Sequence, residues 1–194
     1  MPSAATVLDS IRTRGARGLP LARRYRPLCH PQVYLMAYGR LAANQGAMTP
    51  GGTGETVDGM ALEQSGAIMH ALRRARDRWS PATRVDLPQK RGPLRPLGRP
   101  TWSDKLVAEV VRLLREASAD VQFSGPAHGC RPGRGCHTAL DEVGRVWKGT
   151  HWGIAGALSD GFGRLDHAVL RSIRAAKIHG GRVLRLISHR LTAG

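Results

Sequence analysis

Between Ser103 and Ala117 the chain carries its strongest folding instruction. Leu106, Val107, Val110, Val111, Leu113, Leu114 and Ala117 recur at helical spacing and form a wide apolar stripe. A stripe that broad requires partners on more than one side, so it predicts a long helix at the centre of a core. Ser103 is the expected N-cap, because its hydroxyl can accept an orphan backbone N–H.

Weaker patterns surround this helix. Gln32 to Ala43 and Ala61 to about Trp79 read as helices, separated by a glycine-rich loop over residues 44–59. Val85 and Leu87 alternate with Arg84 and Asp86, as in a strand. The segment from Gln89 to Pro93 reads as a hairpin turn, with Leu94 to Leu97 as a return strand shortened by Pro96. A loop follows from about Asp120 to Gly135. Next comes a helix from His137 to Trp147, with Leu140, Val143 and Val146 facing in. Trp152 to Leu158 is an expected strand, and helices near Asp166–Ile178 and Arg182–Leu191 complete the pattern. Residues 1–40, with seven arginines and Pro20 and Pro27, read as a disordered basic arm.

Charge narrows the partner. The 194 residues carry a net charge of +16, and 26 of the 30 basic residues are arginine. This excess implies a polyanion, most simply nucleic acid, and the planar guanidinium suits phosphate and base contact. A GC-rich genome would also favour arginine. Three cysteines cannot form a full disulfide set, no apolar run could span a bilayer, and no secretory signal is evident at Met1–Ser10. A reducing, cytoplasmic setting without membrane attachment is therefore expected.

Two segments are rich in potential phosphate contacts. Lys90 and Arg91 lie on the hairpin turn, with Arg84 and Arg95 on its strands and Lys105 just beyond. Basic residues on such a turn can reach over a phosphate backbone. Arg131-Pro132-Gly133-Arg134 puts two arginines around a stiff, close-approaching loop, where they could equally pair with acids. Arg12, Arg14, Arg17, Arg23, Arg24 and Arg26 add a cationic arm. His128, Cys130, Cys136 and His137 do not have the spacing of a zinc finger or knuckle, and no metal is assigned to them.

Several blocks in order resemble the bacterial group II intron reverse transcriptases, or intron maturases. They are Tyr34-Leu35-Met36-Ala37-Tyr38-Gly39-Arg40, Ala43 to Gly51, Gly54 to Met60, Lys90 to Leu97, and His128 to His137. The resemblance covers about residues 24–186. It implies an α+β chain in three parts: a basic arm and helical N-terminal extension (1–59), fingers with a short β-hairpin (60–150), and the start of an incomplete palm (151–194). It also implies that Arg84, Lys90, Arg91, Arg95, Lys105, Arg131 and Arg134 contact RNA, and that Cys130 replaces a buried aromatic residue.

The same resemblance exposes a lesion. The family reads roughly Glu-Gly-Asp-Ile, then Phe-Asp, then Ile-Asp-His, and uses Mg²⁺ held by aspartates. Here Ala155-Gly156-Ala157-Leu158, Phe162-Gly163 and Leu165-Asp166-His167 stand in those places. Ala157 occupies the first catalytic aspartate position, and no Tyr-Ala-Asp-Asp word occurs. Asp160 would face away from a metal along a strand, and Asp166 is expected to cap the next helix. The expectation is an RNA-binding chain with no catalytic residues and no bound metal or cofactor of its own. The RNA would be intron or another structured RNA. A second protein chain would cover the open palm edge. The alternatives are an RNA-filling subunit of a ribonucleoprotein and one piece of a split RNA-directed DNA polymerase.

Overall fold

Helix α4, Trp102–Ala119, is the beam against which the other elements pack. The computed structural model describes residues 1–22, 26–59, 62–89, 94–161 and 163–193. Leu106 and Val110 are fully buried, and Leu113, Leu114 and Ala117 nearly so, as the apolar stripe requires. The cap is Thr101 rather than Ser103: its Oγ1 accepts the Asp104 N–H at 3.2 Å. Ser103 lies inside the first turn. Its N–H and hydroxyl both donate to Glu55 Oε2, at 3.1 and 3.0 Å, so a carboxylate 48 residues away serves the positive end of the helix.

Helix α1, Ala4–Ala16, packs along α4. The first residues are therefore not the disordered arm expected from their arginines. Ala4, Leu8, Ile11 and Gly15 form a buried stripe at helical spacing, and Ser3 caps the helix by accepting the Thr6 N–H. Burying Leu8 and Ile11 stabilises the fold by about 1.5–3 kcal/mol each, enough to order a basic segment.

Helix α2, Pro31–Ala42, adds Val33, Tyr34 and Ala37 to the core. Helix α3, Leu62–Arg73, stops six residues short of the expected Trp79. Ala75 adopts φ 55°, the Ala75 N–H bonds Leu72 O, and the Arg76 N–H bonds Ala71 O. That pair of bonds is a Schellman stop built without glycine. It frees Trp79 to donate from Nε1 to Leu186 O at 3.0 Å.

Two small sheets frame this core. The first pairs β1, Leu21–Ala22, with β4, Ile178–His179, in parallel. The second pairs β2, Thr83–Leu87, with β3, Arg95–Arg99, antiparallel, with Val85 opposite Leu97. The return strand runs two residues beyond the expected Leu97. Both strands are edges, so Pro96 is tolerated within β3. The turn expected from Gln89 to Pro93 falls mostly outside the described residues.

The remaining helices are α5, Cys136–Val146, α6, His167–Lys177, and α7, Gly181–Thr192. Asp166 caps α6 as expected, its Oδ1 accepting the N–H groups of Ala168 and Val169 at 2.6 and 3.2 Å. Two expectations fail here. The apolar face of α5 does not point inward, since Leu140 is 66% and Val146 61% exposed. The strand expected from Trp152 to Leu158 is absent: among the described residues none pairs with this segment, and Trp152, Ile154 and Leu158 stand in solvent. The architecture is mixed α+β, with helices dominant. Among the described residues no helix is long and apolar enough to cross a membrane.

Candidate nucleic-acid interface

The cationic residues singled out in the sequence fall into two groups with different surroundings. Arg84, Arg95 and Lys105 belong to the hairpin and the start of α4. Arg84 is exposed on β2, and its Nε lies 3.0 Å from Asp86 Oδ1 on the same strand. Arg95 opens β3 opposite Leu87 and is exposed. Lys105 donates weakly to Thr49 O at 3.4 Å. Lys90 and Arg91, like Arg23 and Arg24 of the arm, lie outside the described residues.

Arg131 and Arg134 lie in the 123–135 loop, where both serve as internal struts. The Arg131 Nε donates to Asp120 Oδ1 at 2.6 Å, and its other nitrogens donate to Ser124 O, Ala127 O and Asp120 O at 3.1, 3.0 and 3.1 Å. Its side chain is only 10% exposed. The guanidinium also stacks 5.6 Å from the centre of the Phe123 ring. Arg134 donates to Gly125 O and to Ala127 O. The Arg131 hydrogen bond holds the Asp120 carboxyl below the usual carboxylate range, and the charges of Arg131, Arg134 and Arg12 act in the same direction. Gly133 at φ 68° makes the bend between the two arginines.

A second set of contacts fastens this loop to α5. His128 Nδ1 lies 2.8 Å from Thr138 Oγ1, and Nε2 lies 2.7 Å from Glu142 Oε2. Cys130 and Cys136 are exposed, and Cys130 sits at φ 55°. Cys130 is therefore not a shrunken buried contact: a left-handed backbone at the loop surface turns it outward. Sequence reading passed over Asp120, Glu55 and Glu142. Glu142 and Thr138 are four apart on α5, a local signal that was available. Asp120 and Glu55 act through tertiary contacts that no local spacing announces.

The acidic residues after α5 are engaged elsewhere. Asp166 is consumed by the α6 cap, and Asp160 bends back at φ 49°. Its carboxylate lies where a Cβ on Gly163 would fall, 2.6 Å from Oδ1. Among the described residues no three His, Cys, Asp or Glu side chains gather as a metal-ligand set.

The geometry described so far is matched by a clear relationship to known proteins. The chain is 36% identical over 173 residues to the group II intron-encoded protein LtrA of Lactococcus lactis subsp. cremoris, covering 89% of this chain. This chain is a relative of the group II intron-encoded proteins. It is also 34% identical over 167 residues to a 91 kDa protein in the cob intron of Schizosaccharomyces pombe, covering 86% of this chain. It is 29% identical over 92 residues to nuclear intron maturase 1, mitochondrial, of Arabidopsis thaliana, covering 47% of this chain. The chain spans 29% of the L. lactis intron-encoded protein, 21% of the S. pombe protein and 13% of the A. thaliana maturase. No family-level sequence model matches it. The resemblance read from the motifs to the group II intron proteins is thus supported across most of the chain.

Proposed function

We propose that this chain is an RNA-gripping relative of group II intron reverse transcriptases that performs no nucleotide transfer itself. In this reading α1 to α3 form the N-terminal extension, β2, β3 and α4 belong to the fingers, and the segment from residue 151 onward begins a palm. The exposed Arg84 and Arg95, with Lys90, Arg91 and Lys105, approach the phosphate backbone. Arg131 and Arg134 act mainly by shaping the neighbouring loop, since the Arg131 donors and the Arg134 Nη1 are already used within it. The net charge of +16 supports a polyanionic partner, and the intron-encoded relatives suggest intron RNA.

Ala157 is the observation that carries the inactive reading. Two-metal phosphoryl transfer needs carboxylates that hold Mg²⁺ ions a few ångströms apart. The donors here do not fit: Ala157 offers none, Asp160 folds over Gly163, and Asp166 caps α6. No reaction step is assigned to Mg²⁺ for this chain.

Two assays test the two halves of this reading. RNA affinity measured across a salt series should fall steeply, with a log–log slope of about −0.7 per single-stranded phosphate neutralised. A flat profile would sink the RNA-gripping half. Primer extension should yield no cDNA from the unaltered chain, and synthesis would overturn the inactive half. The exposed Trp152, Ile154 and Leu158 favour one addition, a protein chain that covers this apolar side of the incomplete palm.

A further inference from the structure

Arg115 and Arg174 share the cleft between α4 and α6, where the lining carboxylates Glu116 and Asp120 are each paired with another arginine. The cleft has a volume of about 730 Å³, within the range of small-molecule sites, and Arg115, Arg174, Phe123, Gly129 and Cys130 are among its lining residues. Arg115 is half-buried on α4, and Arg174 faces it from α6. Burial, and then the Arg174 charge, pull the Arg115 guanidinium below its ordinary pKa. The Nε of Arg174 is buried with no hydrogen-bond partner among the described residues.

The nearby acids do not relieve this pair. Glu116 is held by Arg112 on its own helix and lies 4.0 Å from Arg40. Asp120 is held by Arg131 at 2.6 Å. Each carboxylate on the cleft wall is thus committed to a different arginine. A buried polar group without a partner is costly, and two like charges brought together add to that cost. An anion between the two guanidiniums would remove both penalties at once. Phosphate suits them best, because it offers several acceptor oxygens to two planar donor forks.

We propose that the cleft between α4 and α6 binds the phosphate of a nucleotide, gripped by Arg115 and Arg174, with the exposed Phe123 ring on the same wall available to the base. Neither arginine belongs to the hairpin or the loop clamp described above; Phe123 opens the 123–135 loop, and one side of its ring carries the Arg131 guanidinium. The proposal shares with the RNA reading only the chemistry of the ligand, and the site itself rests on these two arginines.

Calorimetric titration of the native chain with inorganic pyrophosphate at constant ionic strength tests the site. Saturable one-to-one binding is expected, at least tenfold weaker in Arg115→Leu and in Arg174→Leu and unchanged in Arg145→Gln, which removes an exposed charge from α5. Both leucine variants should melt no lower than the native chain, because each removes one of two repelling charges. Lost binding then reports the site and not the fold. No saturable binding by the native chain, or equal binding by both leucine variants, overturns the proposal. A short single-stranded RNA added to the pyrophosphate-loaded chain separates two sources of the phosphate. Displacement assigns the cleft to an RNA strand. Retention of pyrophosphate assigns it to free nucleotides and supports the site even if the RNA reading fails.

Discussion

Gly15 of α1 touches the backbone of α4 at Ser118: a Cβ placed on Gly15 would lie 2.4 Å from the Ser118 carbonyl oxygen. The atom it would strike is main chain, so no rotamer change makes room. The contact sets how closely α1 approaches α4, and the Gln122 side chain ties the two by donating to Gly15 O and Ser118 O at 3.3 and 3.2 Å.

Gly15→Ala is therefore expected to destabilise the chain by about 1–3 kcal/mol, the usual range for overpacking. Gly39→Ala on the exposed side of α2 should do the opposite. Nothing lies within 4 Å of a Cβ there, and alanine is favoured in a helix interior by about 0.5–1 kcal/mol. Urea midpoints for the two variants should move in opposite directions.

Removing the strut at Arg131 should loosen the 123–135 loop. Arg131→Ala leaves the Asp120 carboxylate and the Ser124 carbonyl without their donor, and Ala127 O with Arg134 alone, at a cost of about 1–3 kcal/mol. Hydrogen exchange should quicken at residues 123–135 and leave the middle of α4 protected. Uniform change across both regions would contradict a local role.

The Asp120–Arg131 pair also sets a pH dependence. Asp120 titrates lower in the folded chain than in the unfolded one, so its contribution is complete above the unfolded carboxylate value of about 3.9. It shrinks as pH falls through the folded pKa, because protonation breaks the pair. Asp120→Asn should melt earlier than the native chain at neutral pH. The two melting curves should converge in strong acid. A gap that stays constant down to pH 2 would show that the ion pair is not its source.

On the hairpin, Arg84→Gln and Arg95→Gln should each weaken RNA binding and lower the salt slope by about one contact's share. Melting temperature should barely move, since both side chains are exposed. Arg131→Gln should show the reverse pattern, a lower melting temperature with the salt slope nearly intact.

The cap of α4 gives a fifth comparison. Thr101→Ala removes the acceptor of the Asp104 N–H and should cost about 1 kcal/mol. Ser103→Ala keeps its backbone bond to Glu55 Oε2 and loses only the hydroxyl bond, so its cost should be smaller.

What the sequence made legible was what local spacing encodes. The stripe of α4, the cap at Asp166 and the alternation of β2 all express periodicity or turn chemistry within a few residues. The strand expected at Trp152–Leu158 needed a neighbour, and no residue pattern could say whether one would be present. Basic composition hid α1, because its four inward positions are interleaved with Arg12 and Arg14. The two roles of Arg131 were both open in the sequence, and the choice depended on Asp120, eleven positions earlier. Arg115 and Arg174 lie on helices 59 positions apart, and only folding sets them face to face.

The parallel pairing of Leu21 with Ile178 has a consequence for the chain as it is made. A ribosome must add Ile178 before Leu21 can find its neighbour, so the first strand waits with its edge unclaimed while every element between them is made. During that interval α1 can already settle on α4, but β1 and β4 stay apart. Closure is thus a late, long-range event that delays folding and leaves the nascent chain open to mispairing in the meantime.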